Sequence, residues 1–376
     1  MSINTLEDRV KLFRDAAAFQ KTEKIPNLSL AFTWKVHDSA YPVKDALYDW
    51  KVMEKAVREF HERYQFDAYM DLGTRNVLGL TDALGGGTHY FDEASNSIYA
   101  VEKACFTAAD IDGYLKDPIK ASRKCFEQKY PNATAKSLMK AQLEMIKFVM
   151  YSAKITKIFN KEYQIPVTNT GQFFIPPYEN VMFYTGLREL AIGLRRDGEK
   201  YKQLFDYMFW TETYPGMIAA LDQDTSKFVQ DVNTALIGYC SLSPKQFEQF
   251  YWPYLKILLD EVAKRNKTIH IFTEQSMLRF SEFFEDVPKG VLVLHPDQDD
   301  IFEVRKRLPN VALAGGMRAQ MLSNATPEEC VDRAKELIEG LGEGYIFSQD
   351  NMMSFPNDCK RENLLAVNEF VNNYRP

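Results

Sequence analysis

Four short β-rich runs, Thr268-Ile-His-Ile-Phe272, Gly290-Val-Leu-Val-Leu294, Val311-Ala-Leu-Ala314 and Gly344-Tyr-Ile-Phe-Ser348, follow one another through the last third of the chain. They recur at intervals of roughly 20 to 35 residues, and stretches with period-3.6 apolar faces, such as Gln246 to Lys264 and Pro327 to Glu339, lie around them. Working outward, similar runs stand at Asn27–Phe32, Phe66–Asp71, Pro166–Thr170 and Lys227–Asp231, with a helical pattern over Trp50 to Tyr64. Strand–helix alternation implies a parallel sheet, and eight such units imply closure into an α/β (β/α)8 TIM barrel.

The remainder of the chain fits around that frame. Met1 to Gln20 reads as an amphipathic helical extension and not as a signal peptide. Residues 84–165 interrupt the first half and are expected to form a lid or side layer over one barrel end. Within them Gly85-Gly-Gly87 suggests a hairpin turn and Lys136 to Lys161 a long helix. A single domain over residues 1–376 follows, since barrels often exceed ordinary domain length.

Composition narrows the class further. Of 376 residues, 45% are hydrophobic and 26% charged, which excludes a disordered chain and a membrane bundle. The net charge is −6 and no long Lys/Arg run occurs, so neither a nucleic-acid nor a membrane partner is expected. Five cysteines, Cys105, Cys125, Cys240, Cys330 and Cys359, are spread widely and never form a CxxC. A reducing, cytoplasmic setting is the expectation.

In a (β/α)8 barrel the functional groups gather where the strands end. The expected strand ends bring Trp34 and His37, Asp71 and Arg75, Thr170 and Gln172, Asp231 and Asn233, His270 and Glu274, His295, Arg318, and Gln349 and Asp350. Among these, His270, Glu274 and His295 suit a zinc site with one position open to substrate. The same three also fit two hydrogen-bonded histidines beside a solvated glutamate. Asp71 with Arg75 suits either a substrate-binding carboxylate or a structural ion pair. Asp231 and Asn233 would orient a polar ligand or cap the next helix. Gly315-Gly316 would let a backbone approach a ligand closely. Trp34, Phe173, Phe174, Tyr178, Phe272 and the Met352-Met353-Ser-Phe355-Pro356 stretch would give the mouth an aromatic, soft lining. No GxGxxG, P-loop or GxSxG occurs, which disfavours nucleotide and serine-hydrolase chemistry.

Several longer motifs then appear in a fixed order. They are Leu242-Ser-Pro-Lys-Gln-Phe-Glu-Gln-Phe-Tyr-Trp-Pro-Tyr-Leu-Lys256, Ile269-His-Ile-Phe272, Leu313-Ala-Gly-Gly-Met317, Ala325-Thr-Pro-Glu-Glu329 and Arg361-Glu-Asn-Leu364. Phe106-Thr-Ala-Ala-Asp110 and Leu115-Lys-Asp-Pro118 precede them. In these motifs the chain resembles the uroporphyrinogen decarboxylase superfamily over residues 60 to 370. That superfamily holds cofactor-free porphyrinogen decarboxylases and zinc-dependent methyltransferases that work with corrinoid proteins.

The resemblance implies one branch over the other. The decarboxylases carry an arginine-rich loop that grips substrate carboxylates, whereas this chain reads Ala31-Phe-Thr-Trp-Lys-Val-His-Asp38 there. The thiol-methylating branch carries His-x-Cys after strand five. Here His270 is kept but Phe272 takes the Cys position, and Gln349, Asp350 and Met352 stand where a further Cys is expected. Glu274 and His295 suit a harder Lewis-acid site, as in the ether-demethylating branch. The implied activity is methyl transfer from a small methylated donor, such as a methoxylated aromatic, to a corrinoid protein. His270, Glu274 and His295 would hold the metal, with Asp231 beside them in catalysis. Asn233, Asp71 and Arg75 would orient the donor, and Trp34, Phe272 and Met352 would wall its ring. No DxHxxG corrinoid signature occurs, so a partner would bring the corrinoid, and a homodimer is a further expected assembly. The alternative reading is a decarboxylase or lyase acting on a small carboxylic acid.

Overall fold

The computed structural model describes residues 5–168 and 174–375, so Thr170, Gln172 and Phe173 lie outside the described residues. Seven parallel strands form one curled sheet: β1 (Asn27–Ser29), β2 (Ala68–Tyr69), β5 (Val232–Leu236), β6 (Ile269–Thr273), β7 (Leu292–Pro296), β8 (Ala312–Met317) and β9 (Tyr345–Gln349). Their order is β2-β1-β9-β8-β7-β6-β5. The gap between β2 and β5 is bridged by the segment around Val167. That residue pairs in parallel with Tyr69, while the Thr168 carbonyl accepts the side-chain amides of Gln230 and Asn233. Eight strand positions therefore go round, and the expected (β/α)8 barrel is what forms.

Burial explains why these strands are legible. β6, β7 and β8 are buried at every position, because helices cover their outer face and the lumen their inner one. Leu28, Leu30, Phe32, Ala68, Met70, Ala235, Phe272, Val293, Ala312, Ala314 and Ile346 pack together inside the barrel. Phe13, Ala16 and Ala17 of the N-terminal helix Leu6–Ala17 join the same cluster. Arg14 on that helix donates to the carbonyls of Thr225 and Phe228, which precede β5. The N-terminal extension is thus a plug under the amino ends of the strands.

Three local expectations are corrected. The fourth barrel strand is Val232–Leu236, five residues beyond the Lys227–Asp231 run; at about 3.3 Å per residue this is a displacement of roughly 16 Å. Gly85, Gly86 and Gly87 have positive φ but only lead into the hairpin β3 (His89–Asp92) and β4 (Ser97–Ala100), whose turn is Glu93–Asn96. Cys105 and Cys125, with Cα atoms 5.0 Å apart, form a disulfide that ties the segment after β4 to the helix Pro118–Lys129. The cysteine count therefore no longer argues for a reducing compartment. No helix among the described residues is long and apolar enough to cross a membrane.

Within residues 84–165 the main element is the helix Ala135–Ile158, close to the expected stretch. It packs chiefly on the short helix Leu78–Ala83 that follows β2. The Gln246–Lys264 pattern is two helices, Pro244–Phe250 and Trp252–Lys264, the second with proline in its first turn.

Candidate active site

The barrel separates the expected site residues into two ends and a middle. Asp231 falls at the amino end, because its strand starts one residue later. Its carboxylate accepts from Arg14 Nη2 at 3.1 Å, from the Thr268 amide at 2.7 Å and from the Thr225 hydroxyl. It fastens the N-terminal plug, far from the carboxyl rim, which corrects its expected catalytic role. Asn233, two residues on and level with His270, is buried and donates to the Thr168 carbonyl.

The middle of the lumen holds the two histidines. In register, Asn233 faces His270 and Phe272 faces His295. His270 Nε2 lies 3.2 Å from His295 Nδ1, and His295 Nε2 lies 2.7 Å from the Gln349 carbonyl oxygen. A carbonyl can only accept, so Nε2 of His295 carries the proton and its Nδ1 accepts from His270. Burial lowers the His295 pKa to about 4, although the Gln349 bond works the other way. Burial, then the neighbouring His295, drives His270 well below its ordinary value. Both rings are neutral. A Cβ on Gly315, whose φ is +99°, would come within 2.7 Å of the His295 ring, so this glycine makes room for a side chain and not for a ligand.

Glu274 does not join the histidines. A spacing of four brings ligands together on a helix, but along a strand it separates them by about 13 Å. Both His295 nitrogens are already hydrogen-bonded. Among the described residues no group of three or more His, Cys, Asp and Glu side chains converges as a metal site. The expected zinc ligands therefore do not fit one coordination shell in this arrangement, and the hydrogen-bonded pair is the form adopted.

The carboxyl rim carries a different set. Continuing the inward phase of β6, β7 and β9 leads to Glu274, Asp297 and Asp350. Burial raises the Asp350 pKa to about 6; the Ala319 amide on Oδ1 at 3.0 Å opposes this, and the nearby Asp297 charge adds to it. Burial and Asp299 raise Asp297 against its bond from the Gln275 amide, and burial, then Asp297 and Glu179, raise Glu274. Arg318 stands near Asp350 as its cationic neighbour. On the opposite side of the rim the Arg75 guanidinium sits 4.8 Å over the Phe32 ring. Phe32, Phe272 and Met352 belong to the lumen cluster, as expected for a wall.

The other expected residues serve the scaffold. Asp71 accepts from Lys35 Nζ at 2.6 Å and from the amides of Gly73, Thr74 and Arg75. Burial pushes its carboxyl up, yet Lys35 and these amides outweigh that and hold it below the ordinary range. It shapes the loop after β2, and its ion-pair partner is the fully buried Lys35 in place of Arg75. Trp34 is buried against Phe60 and Tyr64, with Nε1 on the Cys359 carbonyl, so it walls no substrate. Tyr178 and Phe174 are likewise core. His37 is half-buried beside the loop after β9.

Lys35, Glu179 and Asp297 escaped the sequence reading. Glu179 is buried and accepts from the Ile237 and Gly238 amides and the Tyr251 hydroxyl, fixing the loop after β5. Asp297 was within reach, since it lies two residues beyond His295 and so shares its face.

With this arrangement known, the chain can be set beside known proteins. The family model described as uroporphyrinogen decarboxylase (URO-D) matches residues 229–374. Over that span the chain is similar to the uroporphyrinogen decarboxylase family. The URO-D segment contains β5 to β9 and thus the histidine pair and all three rim carboxyls. Among solved structures, a methyltransferase from Methanosarcina mazei is similar at a TM-score of 0.65 and 14% identity, covering 98% of each chain. At that identity the likeness establishes a common fold over the chain and nothing more. A search of curated protein sequences finds no match.

Proposed function

We propose that the chain is a methyltransferase that moves a methyl group from a small methylated donor, first of all a methoxylated aromatic, to a corrinoid carried by a separate protein. The observation that carries this reading is a carboxyl rim poised to give up a proton above an apolar, aromatic lumen. Expelling a phenolate is the hard part of cleaving an aryl methyl ether. The C–O bond breaks with its electron pair on oxygen, and a proton delivered there yields the neutral phenol.

Asp350 is the donor of that proton. Burial and the nearby Asp297 keep it from ionising early, and the Ala319 amide with Arg318 supports the carboxylate that remains until solvent reprotonates it. Phe32, Phe272 and Met352 hold the ring, with Arg75 stacked over Phe32 at the entrance. The neutral His270–His295 pair lines the lumen without placing charge there. The corrinoid, when its partner brings it, supplies the nucleophile that receives the methyl group. A substrate with many carboxylates finds no arginine cluster at residues 31–38.

The test is a panel of methoxylated aromatics, methylamines and methanol, each incubated with the protein and a reduced corrinoid protein. Methylated corrinoid and free phenol in equal amounts are expected from the methoxylated aromatics. Release of CO2 from a small acid without methyl transfer would instead favour the decarboxylase reading.

A further inference from the structure

The helix Ala135–Ile158 buries only Ala141, Tyr151, Ile155 and Ile158. On its opposite side Leu138, Met139, Leu143, Met145, Ile146, Val149 and Met150 are between 43% and 67% exposed. At 100° per residue these seven spread over an arc of about 160°, in which Gln142 is the one polar residue between the first and last of them. Lys140, Lys147 and Lys154 lie outside the arc, and the latter two are paired with Glu144 and Glu54. A soluble helix with such a face is ordinarily covered.

We propose that a second copy of this chain covers it, through the same face. Together the seven side chains expose on the order of 700 Å² of apolar surface. That exceeds the roughly 300–600 Å² of the largest patch on a typical monomer. It approaches the about 800 Å² that each member contributes to a stable pair. Its make-up favours a permanent partner over a transient one, because surfaces that must also live alone in water carry more polar groups. A copy related by a two-fold axis is the commonest permanent partner. Leu143 and Met145 also edge a pocket of about 610 Å³ shared with Leu47, Trp50 and Phe148, a receptacle of the kind that takes a protruding side chain from the other copy.

The experiment is sedimentation of the full chain at micromolar concentration, beside Leu143→Lys/Ile146→Lys and a control, Trp210→Lys. Trp210 is 52% exposed on another element. The wild type and the control are expected to sediment at twice the 43.5 kDa chain mass, and the double variant at the chain mass. The substituted residues are exposed in the single chain, so the circular dichroism spectrum should not change. A monomeric wild type, or a double variant that remains dimeric, overturns the proposal. So does a wild-type monomer that binds anionic phospholipid vesicles through this helix.

Discussion

Asp231 and Asp350 sit at opposite ends of one barrel and are treated in opposite ways. Asp231, at the amino end, is satisfied by a guanidinium, a backbone amide and a hydroxyl. Asp350, at the carboxyl end, has one backbone amide, with Asp297 and Arg318 acting on it in opposite senses, and burial lifts its pKa to about 6. A carboxylate whose oxygens are filled by donors stabilises the fold; one deprived of donors and crowded by its own kind stores a proton. The difference between the two ends, and not the residue type, identifies the reactive one.

The comparison breaks most visibly through Asp350→Asn. Methyl transfer should fall by roughly 10²- to 10⁴-fold, the usual worth of a positioned general acid, while urea unfolding stays near wild type. Arg14→Ala should do the converse. Stripping the plug's guanidinium from Asp231 should cost about 3 kcal/mol in urea unfolding and leave the turnover of folded protein unchanged.

The lumen histidines give a pH signature of their own. The His295 pKa is about 4 when folded and near 6.5 when unfolded, so between these values the unfolded chain binds more protons. Stability should therefore fall as the pH drops below about 6.5, by about 3 kcal/mol at pH 4 from this group. Denaturant titrations across that range measure it. Gly315→Ala should cost about 2 kcal/mol, since it combines positive φ with contact on the His295 ring. The smallest effect is expected from Trp34→Phe, about 1 kcal/mol of stability for the lost bond to the Cys359 carbonyl, with an unchanged KM for the donor.

Much of this architecture could be read from the chain, for a physical reason. Strands buried on both faces spell apolar runs, and β6 to β9 do so plainly. β5 does not, because its lumen positions are Asn233 and Ala235. Phe228 and Val229 ahead of it gave the stronger signal, yet Val229 packs in the cluster that holds the N-terminal plug. That slip carried Asp231 to the wrong end and moved Asn233 from beside His270 up to the rim. His270 and Glu274 share one inward phase, but distance along a strand is invisible in a spacing that would suit a helix. Lys35 could not be foreseen as fully buried, since its partner Asp71 arrives from another strand.

The rate of methyl transfer as a function of pH, for wild type and Asp350→Asn with the same methoxylated donor and reduced corrinoid protein, tests the central claim most directly. A protonated Asp350 is required, so the wild-type rate should decline as pH rises through about 6, and the variant should be slow with no limb there. A wild-type rate that is flat across this range, or a variant that keeps both the rate and the limb, would contradict the account.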